Sequence, residues 1–256
     1  MRTDPAGKYR LDGQCAIVTG GAAGIGFSVV SLLFAAGANV VAVDRDADAL
    51  AQAIARIASD KGRVIAYRAD VSDEGGAQTI VDTALAEFGR IDVLVNNAGI
   101  YPPSPRLPDM NLETAERVFS VNLFGAMRLA GAAAAAMPAG GRIINMSSIE
   151  SLRPSSPSNS YYGTSKGAMN AFTRAAALDL APRGIRVNAV LPGIIATEGT
   201  SAIPDPHLAA LASRAPSGRI GKPHDIAEAV LFLASGASDY VNGHCLVVDG
   251  GLSAVG

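Results

Sequence analysis

Short apolar runs alternate along the chain with longer stretches in which apolar positions recur every three or four residues. The short runs read as strands at Gln14–Thr19, Asn39–Val43, Val64–Arg68, Ile91–Val95, Gly141–Ser147, Ile185–Leu191 and Leu246–Val248. The longer ones read as helices at Ile25–Ala36, Asp46–Ser59, Asp73–Phe88, Asn111–Met137, Thr164–Ala181 and Asp225–Leu233, with Asn111 as an N-cap acceptor. Four prolines in Tyr101–Asp109 exclude a helix there and predict a stiff loop. The stretch at about 194–217 is rich in Gly, Pro and Ser around a short apolar helix, Leu208–Leu211, and reads as a lid. Strand and helix in regular alternation predict an α/β fold, a parallel sheet with helices on both faces and right-handed crossovers. Neither an internal repeat, a linker nor a second core is evident, so one domain over residues 1–256 is expected.

Composition narrows the partners. Of 256 residues 49% are hydrophobic and 17% charged, and the formal net charge is −2. This balance gives no basic surplus for nucleic acid or for an anionic membrane. The apolar stretch Val29–Val43 is broken by Ser31, Gly37 and Asn39 and is too short to span a bilayer. The opening MRTDPAGKYRLDGQ holds no apolar run of the signal-peptide kind. Cys15 and Cys245 both fall in strands, too few for a disulfide framework; a reducing, cytoplasmic setting is the expectation. His207, His224 and His244 have no partner at metal-ligand spacing, so no metal is expected.

Polar residues gather where strands end. After the first strand comes Gly20-Gly21-Ala22-Ala23-Gly24-Ile25-Gly26, led by Thr19. Glycines allow close backbone approach, and a helix N-terminus offers unpaired N–H groups to a phosphate, which makes Gly20, Ala23, Gly24, Ile25 and Gly26 the candidate cradle. The second strand runs into Asp44, 18 residues beyond Gly26, near the offset at which a carboxylate meets the ribose hydroxyls of NAD and repels the 2′-phosphate of NADP. Arg45 beside it softens that repulsion or is a surface charge. Asp70 and Val71 follow the third strand, in reach of an adenine amino group, and Asn96-Asn97-Ala98-Gly99 follow the fourth. Ser147 and Ser148 close the fifth, and Pro192-Gly193, Ile195 and Thr197 follow the sixth. Ligands of parallel sheets bind beyond the carboxyl ends of the strands, so these signals converge on one site.

Tyr162 and Lys166 lie four residues apart, one helical turn, on one face. A phenol titrates near pH 10, too high for a base at neutral pH, and a nearby ammonium is expected to lower it. Asn122 in a helix interior is unfavourable by propensity, so it is either an exposed polar residue or marks a local kink that positions a water or proton.

Taken together, Thr19-Gly20-x-x-x-Gly24-x-Gly26, Asp70, Asn96-Asn97-Ala98-Gly99, Asn122, Ser148, Tyr162-x-x-x-Lys166, Pro192-Gly193 and Thr197 resemble the short-chain dehydrogenase/reductase family in its compact form, over about Leu11 to Leu252. The resemblance implies a doubly wound, Rossmann-like three-layer sandwich around a seven-stranded parallel sheet, a nicotinamide cofactor, and a catalytic tetrad of Asn122, Ser148, Tyr162 and Lys166. It also implies a homotetramer or homodimer built on the helices at Asn111–Met137 and Thr164–Ala181. NAD is the cofactor expected from Asp44, with Pro192, Gly193, the backbone of Ile195 and Thr197 around the nicotinamide. The reaction implied is reversible hydride transfer between NAD(H) and a secondary alcohol or ketone of polyol, cyclic or small aromatic type. The alternatives are an NADPH-dependent 3-oxoacyl-type ketoreductase and a non-catalytic NAD-binding regulatory protein. The serine–tyrosine spacing is one residue longer than the family's usual pattern, which leaves Ser147 and Ser148 both in view and favours the second. Glu150 is either a substrate-facing group or a solvated loop charge.

Overall fold

A computed structural model describes residues 7–57, 63–102, 104–155, 157–198, 210 and 212–255. The central strands are β1 (Cys15–Thr19), β2 (Asn39–Asp44), β3 (Val64–Arg68), β4 (Val93–Asn96), β5 (Arg142–Met146), β6 (Arg186–Pro192) and β7 (Cys245–Val248). They form one sheet in the order β3-β2-β1-β4-β5-β6-β7, every pairing parallel. The order reverses direction between β1 and β4, which opens the crevice where a ligand is expected.

Alternation along each strand divides the core in two. Ala16 and Val18 of β1 point to one face, where Val29, Val30 and Leu33 of α1 (Gly24–Ala35) meet Ile226, Val230 and Leu233 of the last described helix. Cys15 and Ile17 point to the other, against Ile80 and Ala84 of α3 (Gly76–Phe88) and residues of the long central helices. Burial on both faces explains why these strands read as continuous apolar runs. The remaining helices are α2 (Ala47–Ile54), α4 (Leu112–Phe119), α5 (Ala126–Ala136), α6 (Ser160–Leu180) and α7 (Pro223–Ala234). This is the three-layer Rossmann-like architecture expected.

Several boundaries differ from the sequence reading for local reasons. Helix α3 starts three residues late, because the Asp70 carboxylate accepts from the Ser72 amide (2.8 Å) and hydroxyl (2.6 Å) and holds a turn there. The helix expected over Asn111–Met137 is interrupted by a π-helical turn at Ser120–Gly125. Residues 199–209 and 211, with His207 and all but Ala210 of the short helix expected in the lid, lie outside the described residues.

The described stretch long and apolar enough to cross a membrane is Leu112–Ala136, not the Val29–Val43 run. Half of its most apolar window is buried, with Leu129, Ala130, Ala133 and Ala134 packed into the core. Cys15 is buried, Cys245 half-buried, and both are free thiols.

Asp92, 6% exposed, pins the start of β4 to β1 by accepting from the Cys15 amide (2.9 Å) and from the Arg90 fork (2.8 Å twice). Asp92→Ala would leave both donors without their acceptor. Urea denaturation is expected to show a loss of about 2–4 kcal/mol with unchanged slope, and Asp92→Asn a smaller loss.

Candidate active site

The loops beyond β1, β2, β3 and β4 border an open cleft of about 130 Å³ lined by Gly20, Val43, Asp44, Arg45, Asp70, Val71, Ala98 and Gly99, among others. Gly20 opens the β1–α1 turn at φ 67°, a conformation that glycine tolerates and larger residues resist. Gly26 has a different role: a Cβ there would lie 1.8 Å from the Gly20 carbonyl oxygen, so it is a packing glycine that lets α1 close on the turn. Ala23, Gly24 and Ile25 form the N-terminal turn of α1, and Thr197 lies directly over Gly24.

Asp44 ends β2 with its carboxylate fixed by the amides of Ala22 (3.1 Å) and Asp46 (3.2 Å). The hydrogen bond from Ser72 holds the Asp70 carboxyl below the usual range. Asn97 spends its side-chain amide on the carbonyls of Thr19 (2.8 Å) and Gly20 (3.2 Å), so it shapes the cleft and leaves the lining to Ala98 and Gly99. Thr19, absent from the candidates for ligand contact, completes that clamp: its hydroxyl accepts from the amides of Asn97 and Ala98, each at 3.0 Å. A buried chain from Asn96 to Asn145 (3.0 Å) to Thr173 (3.0 Å) ties β4 and β5 to α6. Nothing in local periodicity announced it, because its members are 49 and 28 residues apart. Pro192 is the last residue of β6, Gly193 donates to Val248 O (3.0 Å), and Ile195 makes an isolated bridge to Gly221.

Helix α6 brings the chemistry. Its two adjacent tyrosines divide the work. Tyr161 is buried and accepts from the Asn111 amide at the start of α4, whereas Tyr162 turns toward Ser148. Ser147 donates to the Lys166 carbonyl (3.0 Å) and is structural, which leaves the Ser148 hydroxyl on the side of Tyr162. Lys166 is 3% exposed, donates to Met146 O (2.7 Å), and lies 5.6 Å from the centre of the Tyr162 ring.

The ionisation differs from the sequence expectation. Burial pushes the Tyr162 phenol up to about 12, opposed by the Ser148 hydroxyl and reinforced by the Glu150 charge. Burial likewise draws the Lys166 amine down to about 8. Desolvation penalises the charged form of each group and is the largest cause at both. The phenol is therefore neutral at pH 7 and holds its proton more tightly than a free tyrosine.

A buried ammonium is costly, which gives a stability prediction with a definite sign. The folded-state pKa of Lys166 is depressed, so between about pH 8 and 10.5 the unfolded chain binds more protons and stability rises with pH. Lys166→Met should stabilise the cofactor-free protein at pH 7, by up to about 3 kcal/mol less what Met146 O loses with its donor. The gain should vanish above about pH 10.5. Urea midpoints for both proteins across pH 7–10.5 check it; a Met variant no more stable than its parent at pH 7 would contradict it.

Asn122 is buried within the π turn and its side chain is fully engaged. Its Oδ1 accepts from the Ile100 amide (2.7 Å), and its Nδ2 donates to the Ile100 carbonyl (3.0 Å) and Ser165 Oγ (3.2 Å). The extra residue of a π turn lets the helix satisfy this demand, a feature often found at functional sites. Among the described residues no cluster could hold a metal ion.

A family model described as enoyl-(acyl carrier protein) reductase matches residues 20–253. The chain is 41% identical to the cis-4-hydroxycyclohexanecarboxylate dehydrogenase of Sinomonas cyclohexanicum, over 94% of this chain and 97% of that protein. It is 37% identical to a 3-oxoacyl-[acyl-carrier-protein] reductase of Thermotoga maritima, over 95% and 99%. Among solved structures it is similar to a short-chain dehydrogenase/reductase, glucose/ribitol dehydrogenase, from Brucella melitensis, with TM-score 0.90, 36% identity, and coverage of 96% of this chain and 98% of that one.

Proposed function

This chain belongs to the short-chain dehydrogenase/reductase family and interconverts alcohols and ketones, and from that premise we propose that its cofactor is NAD and its substrate a small secondary alcohol, cyclic alcohols first. The observation that carries the reading is the Tyr162 phenol, paired with Ser148 and backed by buried Lys166, on the sheet edge whose cleft holds Asp44.

The residues fit a dinucleotide. The turn at Gly20 leaves its backbone approachable, Asp44 presents a positioned acceptor for ribose hydroxyls, and Asp70 and Val71 line the adenine end. A nicotinamide bound there would supply the hydride acceptor or donor. Ser148 holds the substrate oxygen and steadies charge that develops on it. In reduction Tyr162 donates its proton to that oxygen; in oxidation it receives the proton. Lys166 holds a ribose hydroxyl and favours the phenolate whenever Tyr162 has given up its proton. Asn122 anchors the Ile100 backbone beside Gly99 and Lys166, and so keeps open the water path by which the proton reaches solvent. Asn122→Ala is expected to lower kcat about tenfold or more with a modest change in KM, in steady-state assays.

Arg45 lines the same cleft and is the feature favouring an NADPH-dependent ketoreductase. Asp44 outweighs it, because its carboxylate is held in place by two backbone amides and would repel a 2′-phosphate. A panel of secondary alcohols and ketones with NAD(H) and NADP(H), followed by reduced-cofactor absorbance, tests the reading. Turnover with NADPH on acyl thioesters alone would favour the ketoreductase, and intact NAD binding without turnover a regulatory protein. We also propose a cytoplasmic homotetramer or homodimer; exposed Leu112, Phe124 and Met127 on the central helices and Leu178 on α6 support the assembly, and light scattering measures it.

A further inference from the structure

Asn159 stands at the N-cap of α6, where an asparagine side chain normally accepts from the first turn, yet its side chain makes no capping hydrogen bond. It is 6% exposed and engaged elsewhere: Nδ2 donates to Glu150 Oε2 (2.8 Å) and Oδ1 accepts from the Tyr101 hydroxyl. Glu150 is held in turn by the Ser155 amide (3.1 Å). The Tyr101 ring meets the Tyr162 ring edge to face, centroids 4.7 Å apart at 67°. We propose that Glu150, acting through Asn159 and Tyr101, is a positioning residue for the catalytic phenol and the wall of the substrate pocket. The inference rests on the catalytic reading of Tyr162.

The chain is directional. An ionised carboxylate only accepts, so it fixes the NH₂ end of the Asn159 amide toward itself. The amide oxygen must then face Tyr101, and the Tyr101 hydroxyl must donate. Tyr101 is 60% exposed and, without this latch, would have a freely rotating side chain. Latched, it sets an aromatic edge against the ring that carries the reacting hydroxyl, an arrangement aromatic pairs favour. Among the described residues, the titratable groups facing Tyr162 are Glu150, Tyr101 and Lys166, and the negative charge of Glu150 disfavours the phenolate.

Glu150→Gln keeps the shape but removes the charge and the direction, since a glutamine both donates and accepts. Tyr101→Phe keeps the ring and removes the latch. Each is expected to lower kcat/KM about tenfold, and the double variant no further than about tenfold, because both break one chain. Glu150→Gln should also move the alkaline limb of the kcat/KM profile down by about half a pH unit. Tyrosine ring-carbon NMR of the cofactor-free protein gives a readout independent of turnover: Glu150→Gln should shift both the Tyr101 and Tyr162 resonances. Additive losses, a pH profile superimposable on the parent, or an unmoved Tyr162 resonance would each overturn the proposal. If the parent protein turned over no alcohol, the catalytic reading would fail while the NMR arm still judged the chain.

Discussion

Tyr162→Phe is expected to lower kcat by about a thousandfold or more, near the upper part of what general acid–base catalysis supplies, while NAD affinity stays within about threefold. The substitution removes one oxygen and little else. The ring keeps its edge contact with Tyr101 and its place beside Lys166. What is lost is the hydroxyl on the side of Ser148, the group the proposed mechanism uses to pass a proton to the substrate oxygen. Substrate binding needs no proton transfer, so KM should move far less than kcat, the signature of an interaction made in the transition state. Folding should be almost unaffected, since a half-buried neutral phenol is exchanged for a ring of nearly its size. Steady-state kinetics with titration calorimetry for NAD separates the two effects. A variant retaining a tenth of the parent's kcat would remove Tyr162 from the mechanism.

The second large effect concerns the cofactor. Asp44→Ala should lower kcat/KM with NAD about a hundredfold, the loss of two hydrogen bonds to a charged acceptor in a half-buried place. With NADP it should raise kcat/KM tenfold or more, because the carboxylate no longer faces the 2′-phosphate and Arg45 lines the same cleft. The preference then moves by about three orders of magnitude. Adding Arg45→Ala should cancel the NADP gain and leave the NAD loss, which assigns each part to its residue. Asp44→Asn, whose single amide oxygen still accepts from one of the Ala22 and Asp46 amides, separates loss of the charge from loss of the side chain. An Asp44→Ala protein with unchanged preference would place the ribose elsewhere.

The Tyr162→Phe loss and the stability of Lys166→Met pull in different directions, and the same burial lies behind both. The site keeps an ammonium and a phenol in surroundings that disfavour the charged form of each. Such a site costs stability and gains reactivity, a common trade in active sites.

Much of this protein was written locally. Apolar runs buried on both faces, such as Cys15–Thr19, declare their strands, and the glycine turn after β1 declares a close backbone approach. The spacing of Tyr162 and Lys166 put them on one helix face, because helical period is a property of neighbours in the chain. Other features required distant partners. The order β3-β2-β1-β4-β5-β6-β7, the choice of Ser148 over Ser147, the grip of Asn122 on Ile100 and the latch from Tyr101 to Asn159 all join residues far apart in sequence. The π turn belongs with them, since a helix gives up its regular ladder only when a partner outside it demands the side chain. Ionisation was the least legible of all. Residue spacing singles out the tyrosine and the lysine, but desolvation depends on everything packed around them, and only the folded chain decides how much water they keep.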